Sequence, residues 1–327
     1  HGKVERMADY GKNFVQLHNH THYSLLDGAS KIPDLAKRAA ELEMPAVGIT
    51  DHGNMHGAYE MYTNCVANGV KPIIGIEAYV TPETARQDKS RVHWGTEAQR
   101  RDDVSGGGLI THLTMWAEND EGLVNLIKAS SVANLEGRVM RYPRMDKEVL
   151  STYSKGVIAS SGCPSGIIQT RLRLGQFDEA LRAAGEFQDI FGKDNFFIEL
   201  MDHGLTIENQ VTDDLLTIAK KLDAPLLATN DSHYVHAEDA GAQDAMLCIN
   251  SGSRLDDPDR FKFDGTGYYI KTAEEMRELF KDHPDACDNT LLIAERCNVM
   301  FDDHEDGAFM PQFPCPEGWD EIGRASC

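Results

Sequence analysis

The sequence predicts an α/β fold in which strands alternate with helices. Three observations carry that prediction. Seven short β-rich runs recur along the chain, helical periodicity fills most intervals between them, and His, Asp, Glu and Cys gather where the runs end. The runs are 14–18, 46–50, 72–80, 109–116, 156–160, 196–200 and 225–229. A parallel sheet suits this rhythm, either open and doubly wound or closed as a barrel. His18, Asp51, Glu77, Asp202 and Asp231 sit at or just past run ends, with His20, His52, His203 and His233 beside them. Cys163 follows the fifth run, and His112 lies within the fourth. Groups from so many strand ends converge most readily at the C-terminal mouth of a barrel.

The elements follow in order. Ile32, Leu35, Ala36, Ala39 and Ala40 keep the i, i+3, i+4 spacing, with Pro33 near the start, and predict a first helix. Val211, Leu215, Ile218, Ala219 and Leu222 predict another, and 55–69, 121–135 and 178–191 also read as helices. Residues 81–107 break the rhythm with Arg86, Lys89, Arg91, Arg100, Arg101 and a Gly106-Gly107-Gly108 run. A loop of that length is either a solvated insertion or a functional flap able to touch phosphates. Past residue 240 the pattern turns helical near 237–250, 273–281 and 285–297. The last thirty residues, with Pro311, Pro314 and Pro316 and many acids, read as a connector leaving the domain. The expected organisation is an N-terminal extension or vector-derived residues (1–12), one domain (13–298), the connector (299–321) and a vector-derived tail (322–327).

With 327 residues, 41% of them hydrophobic, the chain can bury a sizeable core. No stretch approaches the roughly 18 apolar residues of a membrane span, and no charged-then-apolar leader opens the chain. Seven scattered cysteines without CxxC pairs argue against a disulfide framework and for a cytoplasmic protein. The formal charge of −21 excludes a duplex-coating protein held mainly by phosphate contacts, unless metal ions reverse the sign locally.

Chemistry concentrates in a few motifs. In His18-Asn19-His20, alternate residues of an extended segment face one way, so both imidazoles can grip one ion. Asp231 and His233 repeat that geometry at the seventh run. Glu77 stands inside the apolar run Ile73-Ile74-Gly75-Ile76-Glu77, where a carboxylate is costly unless paired or metal-bound. His52 in Thr50-Asp51-His52-Gly53-Asn54, His112 and Cys163 each have an ordinary structural reading alone, but together they point to a metal site. Glu199, Asp202 and His203 at the sixth run end are either ligand-orienting residues or a surface turn. Arg138, Arg141 and Arg144 form a small basic cluster that reads as a solvated face or as a contact for DNA or a polymerase body.

These motifs resemble the PHP (polymerase and histidinol phosphatase) family, and within it the N-terminal domains of bacterial replicative DNA polymerase III alpha subunits. The resemblance rests on His20-Thr21-His22-Tyr23-Ser24-Leu25-Leu26-Asp27-Gly28, on Gly48 to Met55, on Lys71 to Glu77, on Ala228 to Tyr234 and on Cys297-Asn298-Val299. It implies a distorted (β/α)7 barrel with a trinuclear metal site at the C-terminal mouth. The implied ligands are His18, His20, Asp27, His52, Glu77, His112, Cys163, Asp231 and His233, all present here. By that resemblance His18, His20, Glu77 and Asp231 hold one ion, Glu77, His112 and Cys163 a second, and Asp27, His52 and His233 a third. Imidazole and thiolate donors favour three Zn2+ ions, with Mn2+ or Fe2+ as alternatives. Such an ion lowers the pKa of bound water to about 7, which makes hydroxide available for phosphodiester hydrolysis.

The implied function is a proofreading 3′–5′ exonuclease attached to a polymerase, with Asp27, Asp231 and His233 as catalytic candidates. Its partners would be a DNA primer 3′ end, the rest of the alpha chain and replisome subunits such as the sliding clamp, with no membrane. Alternatives are a non-catalytic module that stabilises the polymerase and a phosphatase of the histidinol-phosphate type.

Overall fold

The computed structural model describes residues 13–25, 27–100 and 103–301. The expected extension 1–12, nearly all of the connector and the tail 322–327 lie outside the described residues, as do Leu26 and Arg101. Seven strands form one sheet: β1 (Ala46–Ile49), β2 (Lys71–Val80), β3 (Thr111–Ala117), β4 (Arg144–Met145), β5 (Val157–Ser160), β6 (Phe196–Leu200) and β7 (Leu226–Ala228). The order is β1-β2-β3-β5-β6-β7, and the two-residue β4 pairs with the end of β2.

The sheet departs from the expected all-parallel arrangement. β3 runs antiparallel to both neighbours, β2 and β5, while every other pair is parallel. The reason lies in residues 81–110. Among their described residues the helices are only Glu97–Gln99 and Ser105–Gly108, too short for a crossover. The chain therefore re-enters the sheet at the end it left, and Thr111 pairs with Val80.

The run at 14–18 is the second departure, since it forms no strand. It is nonetheless tied on both sides. Gly48 N donates to Gln16 O and Thr50 N to Asn19 O, while Ser232 N donates to His18 O and His20 N to Ser232 O. The segment thus lies between the β1 side and the β7 side of a curled, partly open sheet. Gly48 permits this approach, because a Cβ there would stand 2.4 Å from Leu17 O.

Residue parity gives the curled sheet two ends. Ala46, Ile73, Trp116, Ile158, Phe197 and Leu227 pack with Val15 and Leu17 into one apolar cluster. Helix Pro284–Arg296 seals it with Leu291, Ile293 and Ala294. Side chains two or four residues along a strand share a face. Glu77, His112 and Glu199 therefore lie on the inner face with Ile73, Trp116 and Phe197, displaced toward the other end. On the outer face, Leu35, Ala36 and Ala39 of helix Ile32–Glu41 and Ala183, Ala184 and Phe187 of helix Phe177–Phe191 join the larger core.

Every helix expected from periodicity is present, including Ala58–Ala67, Asp120–Glu136, Thr212–Leu222, Ala240–Ser251 and Ala273–Leu279. Helices Lys147–Thr152 and Ile167–Arg173 were not anticipated, being too short to show a period.

The loop after β2 is bound down. Arg86 pairs with Glu136, Asp146 and Glu148, and Arg171 stacks 3.9 Å from the Trp94 ring. Arg144 corrects the reading of a basic face, because it is fully buried. Its guanidinium donates to the carbonyls of Gly137, Leu109, Arg86 and Asp88.

Candidate metal centre

Each ligand candidate reaches the same end of the sheet by a different route. His52 follows β1, Cys163 follows β5, and Asp231 and His233 follow β7. Glu77 projects from within β2. His112 arrives at the same end because β3 is antiparallel, so its first residues lie beside the last of β2, with His112 opposite Tyr79. His18 and His20 come from the segment joining the two sides, and Asp27 from the loop that follows it.

The donor atoms converge. Three sets lie within 4.8 Å of one another: His18, His20 and Asp231; His20, His52 and His233; and His52, Glu77 and His112. Asp27 joins through its carboxylate oxygens, 3.1 Å from His233 Nε2 and 3.4 Å from His52 Nε2. Cys163 Sγ lies 3.4 Å from His112 Nδ1. Glu77 is central, its oxygens 2.6 Å from His52 Nδ1, 3.1 Å from His112 Nδ1 and 3.5 Å from Nε2 of both His18 and His20. His52 stands between Glu77 and Asp27. The nine residues expected to bind metal are thus brought together, while His22, left out of that set, bonds only to Ser30 O.

Neighbouring groups fix how these imidazoles face. His18 Nδ1 donates to Glu199 Oε1 at 2.7 Å, and Thr229 Oγ1 donates to the same oxygen. His20 Nδ1 donates to Ser24 Oγ at 2.9 Å, and Ser24 donates in turn to Asp51 Oδ1. His233 Nδ1 donates to Asp231 O at 2.7 Å. In all three, Nε2 is left facing the cluster, as a metal-binding imidazole requires.

Those inward atoms lack ordinary partners. His18 Nε2, His20 Nε2, His233 Nε2, Asp27 Oδ1, Asp231 Oδ1 and both Glu77 oxygens are buried without a hydrogen bond. Buried polar atoms are rarely left so. Divalent ions fit the set, since imidazole, carboxylate and thiol donors all aim at one volume.

Burial opposes charge on His18, His52 and His233, yet the carboxylates around them hold all three above the usual imidazole range, a demand for positive charge that bound cations would meet instead. Burial opposes charge on Glu77, yet His112 and His52 outweigh it and hold the carboxyl well below its usual range. His20 is pushed down to about 3 by burial and by neighbouring His52 and His233, so it is a neutral donor. Burial, with Glu77 and Asp231, drives the Cys163 thiol well up, so a thiolate there needs a cation beside it. Asp231 adopts a left-handed backbone, φ +45°, which is costly for a residue with a Cβ and common at functional sites.

Of the residues left open by the sequence, Glu199 orients His18, and Asp202 only closes a turn through Gly204 N. His203 binds Glu208 and Asn230 O and stacks on Tyr268. Ser24 was missed as an orienting residue. Its only sequence signal is its position four residues after His20.

The PHP domain family matches residues 16–203, more than half of the chain. The chain belongs to the PHP domain family. The narrower resemblance is also borne out. The chain is 54% identical over 312 residues to the DNA polymerase III subunit alpha of Mycobacterium tuberculosis, covering 95% of this chain and 26% of that protein. To the same subunit of Saccharopolyspora erythraea it is 57% identical over 291 residues, covering 86% and 24%. To that of Helicobacter pylori (strain J99) it is 40% identical over 313 residues, covering 93% and 24%. This PHP chain thus spans about a quarter of the length of the curated relatives it matches. Among solved structures, an amidohydrolase from Chromobacterium violaceum aligns with TM-score 0.41 at 14% identity, over 67% of this chain and 87% of that one, too distant to inform the site.

Proposed function

We propose that this PHP domain is a metal-dependent phosphodiesterase acting on DNA 3′ ends, a 3′–5′ proofreading exonuclease within a DNA polymerase III alpha subunit. The observation that carries this reading is the convergence of nine donor residues, seven of which aim buried atoms without a hydrogen bond into the cluster. His18, His20, Glu77 and Asp231 would hold one ion, Glu77, His112 and Cys163 a second, and Asp27, His52 and His233 a third. Zn2+ suits the donors best, with Mn2+ or Fe2+ as alternatives. Bound divalent ions would supply Lewis acidity and a hydroxide nucleophile at neutral pH.

The chain's own residues set the approach. Asp27 and Asp231 keep 20% and 15% of their side chains exposed, against 1% for Glu77. His52 and His112 are exposed to a similar degree, so the cluster opens above Glu77, where Asp27, Asp231, His52 and His112 meet solvent and a phosphodiester can enter. Hydrolysis forms a bond from water oxygen to phosphorus and breaks the bond from phosphorus to the 3′ oxygen. Asp231 would receive the proton of the attacking water on a carboxylate oxygen, and solvent would return one to the leaving oxygen, while His233, with Nδ1 on Asp231 O, would act through the ion at its Nε2.

The parent chain would be a cytoplasmic DNA-directed DNA polymerase, with the primer 3′ end, its own polymerase body and the sliding clamp as partners. The test is release of nucleotides from a 3′-mismatched labelled primer by the metal-loaded protein, run beside Asp231→Asn. Stepwise 3′ shortening by the parent alone supports the reading. Absence of shortening despite bound metal, in the chain and in its full-length polymerase, overturns it in favour of a structural module. Turnover of histidinol phosphate instead would move the substrate class to monoesters.

A further inference from the structure

An aromatic ledge adjoins the open side of the cluster. Phe263 packs edge-on to the His233 ring, with centroids 4.7 Å apart and planes at 84°. Phe261 continues outward, its ring 6.1 Å from Phe263 at 82°. Phe261 is 60% exposed. Exposed Lys262 stands between the two.

The ledge is held in place from below. Tyr268 packs 4.8 Å from Phe263 and stacks 4.2 Å from His203. Its carbonyl accepts from the backbone N–H of His233 and of Tyr234, which joins the ledge to the ligand segment itself. At the other end, the Arg260 guanidinium makes a two-pronged pair with Asp244 on helix Ala240–Ser251 and donates to Leu255 O. Arg260 is thus committed to holding the loop, and Phe261 gains no cover from it.

We propose that Phe261 and Phe263 form a stacking shelf for the nucleobase at the 3′ end of the substrate. This rests on the phosphodiesterase reading and narrows it to substrates that carry a base. A phosphoryl group drawn to the cluster leaves the base of the same nucleotide to extend outward past Phe263 to the exposed ring of Phe261, whose plane at 82° to that of Phe263 offers a separate face. Stacking needs no particular base edge, so the shelf accepts any of the four bases.

Fluorescence anisotropy tests the shelf. The probes are two labelled single-stranded oligonucleotides with a phosphorothioate at the last linkage, one ending in a normal nucleotide and one in an abasic residue. The metal-loaded parent is expected to prefer the base-bearing end by about tenfold. Phe261→Ala, a change at an exposed side chain, should remove most of that preference and leave abasic binding unchanged. Phe261→Trp should retain it. Phe263→Leu keeps apolar packing against Tyr268 and should also weaken the preference, with an unchanged Tm. Equal binding of both ends by the parent, or an undiminished preference in Phe261→Ala, overturns the shelf. The same samples, assayed on the cleavable primer, separate the two readings. A base preference without cleavage removes the nuclease and keeps the shelf, whereas cleavage without a base preference does the reverse.

Discussion

Glu199 Oε1 lies 2.7 Å from Nδ1 of His18, and both side chains are sealed from solvent. The carboxylate also accepts from Thr229 Oγ1 and from Ser160 Oγ, so its orientation is fixed by three elements at once. Glu199 thereby aims His18 Nε2 into the cluster without being a ligand itself. Carboxylates in that position commonly govern metal affinity through the histidine they hold.

Glu199→Gln keeps the volume but puts an amide among three donors. Metal affinity should fall by about 10- to 100-fold. Competition against a chromophoric chelator measures it, and circular dichroism should show the fold retained.

Asp51 organises the His18–Ser24 turn. It accepts from Thr21 N at 2.6 Å, Thr21 Oγ1 at 2.8 Å and Ser24 Oγ at 2.7 Å. Hydrogen bonds to a charged group contribute about 1.5–3 kcal/mol each, and the freed donors would stay buried. Asp51→Ala should lower the urea-unfolding free energy by roughly 3 kcal/mol or more and also abolish tight metal binding. Ser24→Ala removes its bonds to His20 Nδ1, Asp51 Oδ1 and His52 N, and should weaken metal binding with a smaller loss of stability than Asp51→Ala.

Cys163 gives a spectroscopic handle. Its thiol is pushed up by burial and by Glu77 and Asp231, so only a bound cation makes it a thiolate near neutrality. Cobalt-substituted protein should show sulfur-to-cobalt charge-transfer absorption in the near ultraviolet. Cys163→Ser should lose that band while keeping weaker ligand-field bands from the histidine sites.

Arg144 supports the long loop from beneath. Arg144→Met leaves the carbonyls of Gly137, Leu109, Arg86 and Asp88 without its donors. A loss of about 2–4 kcal/mol is expected in urea unfolding. Limited proteolysis should cut the variant first within 81–107.

Much of the site was legible because metal ligation demands residue types that are poor choices for strand ends otherwise. His18, His20, His52, Glu77, Asp231 and His233 announce themselves by falling beside apolar runs. His112 was legible as a residue but not as a position. Only the reversed direction of β3 brings it to Glu77, and strand direction leaves no mark on a period-two pattern. The segment 14–18 misled for a related reason. Its apolar character is real, but Asn19 Nδ2 donates to Gln16 O and to Gly48 O of β1, side-chain bonds that take the place of a ladder. Arg144 was read as surface because a buried arginine and a solvated one look alike until the carbonyls around it are known. The orienting roles of Ser24 and Glu199 depend on contacts 4 and 181 residues apart, and the longer one is visible only in the fold.

The most direct measurement is the number of divalent ions bound per chain, counted by native mass spectrometry after reconstitution with Zn2+. Three ions are expected for the intact protein, with fewer retained in Asp231→Asn and Cys163→Ser. A chain that stays folded and binds no ion, or that binds equally well after those substitutions, would contradict the assignment of this cluster as a metal centre.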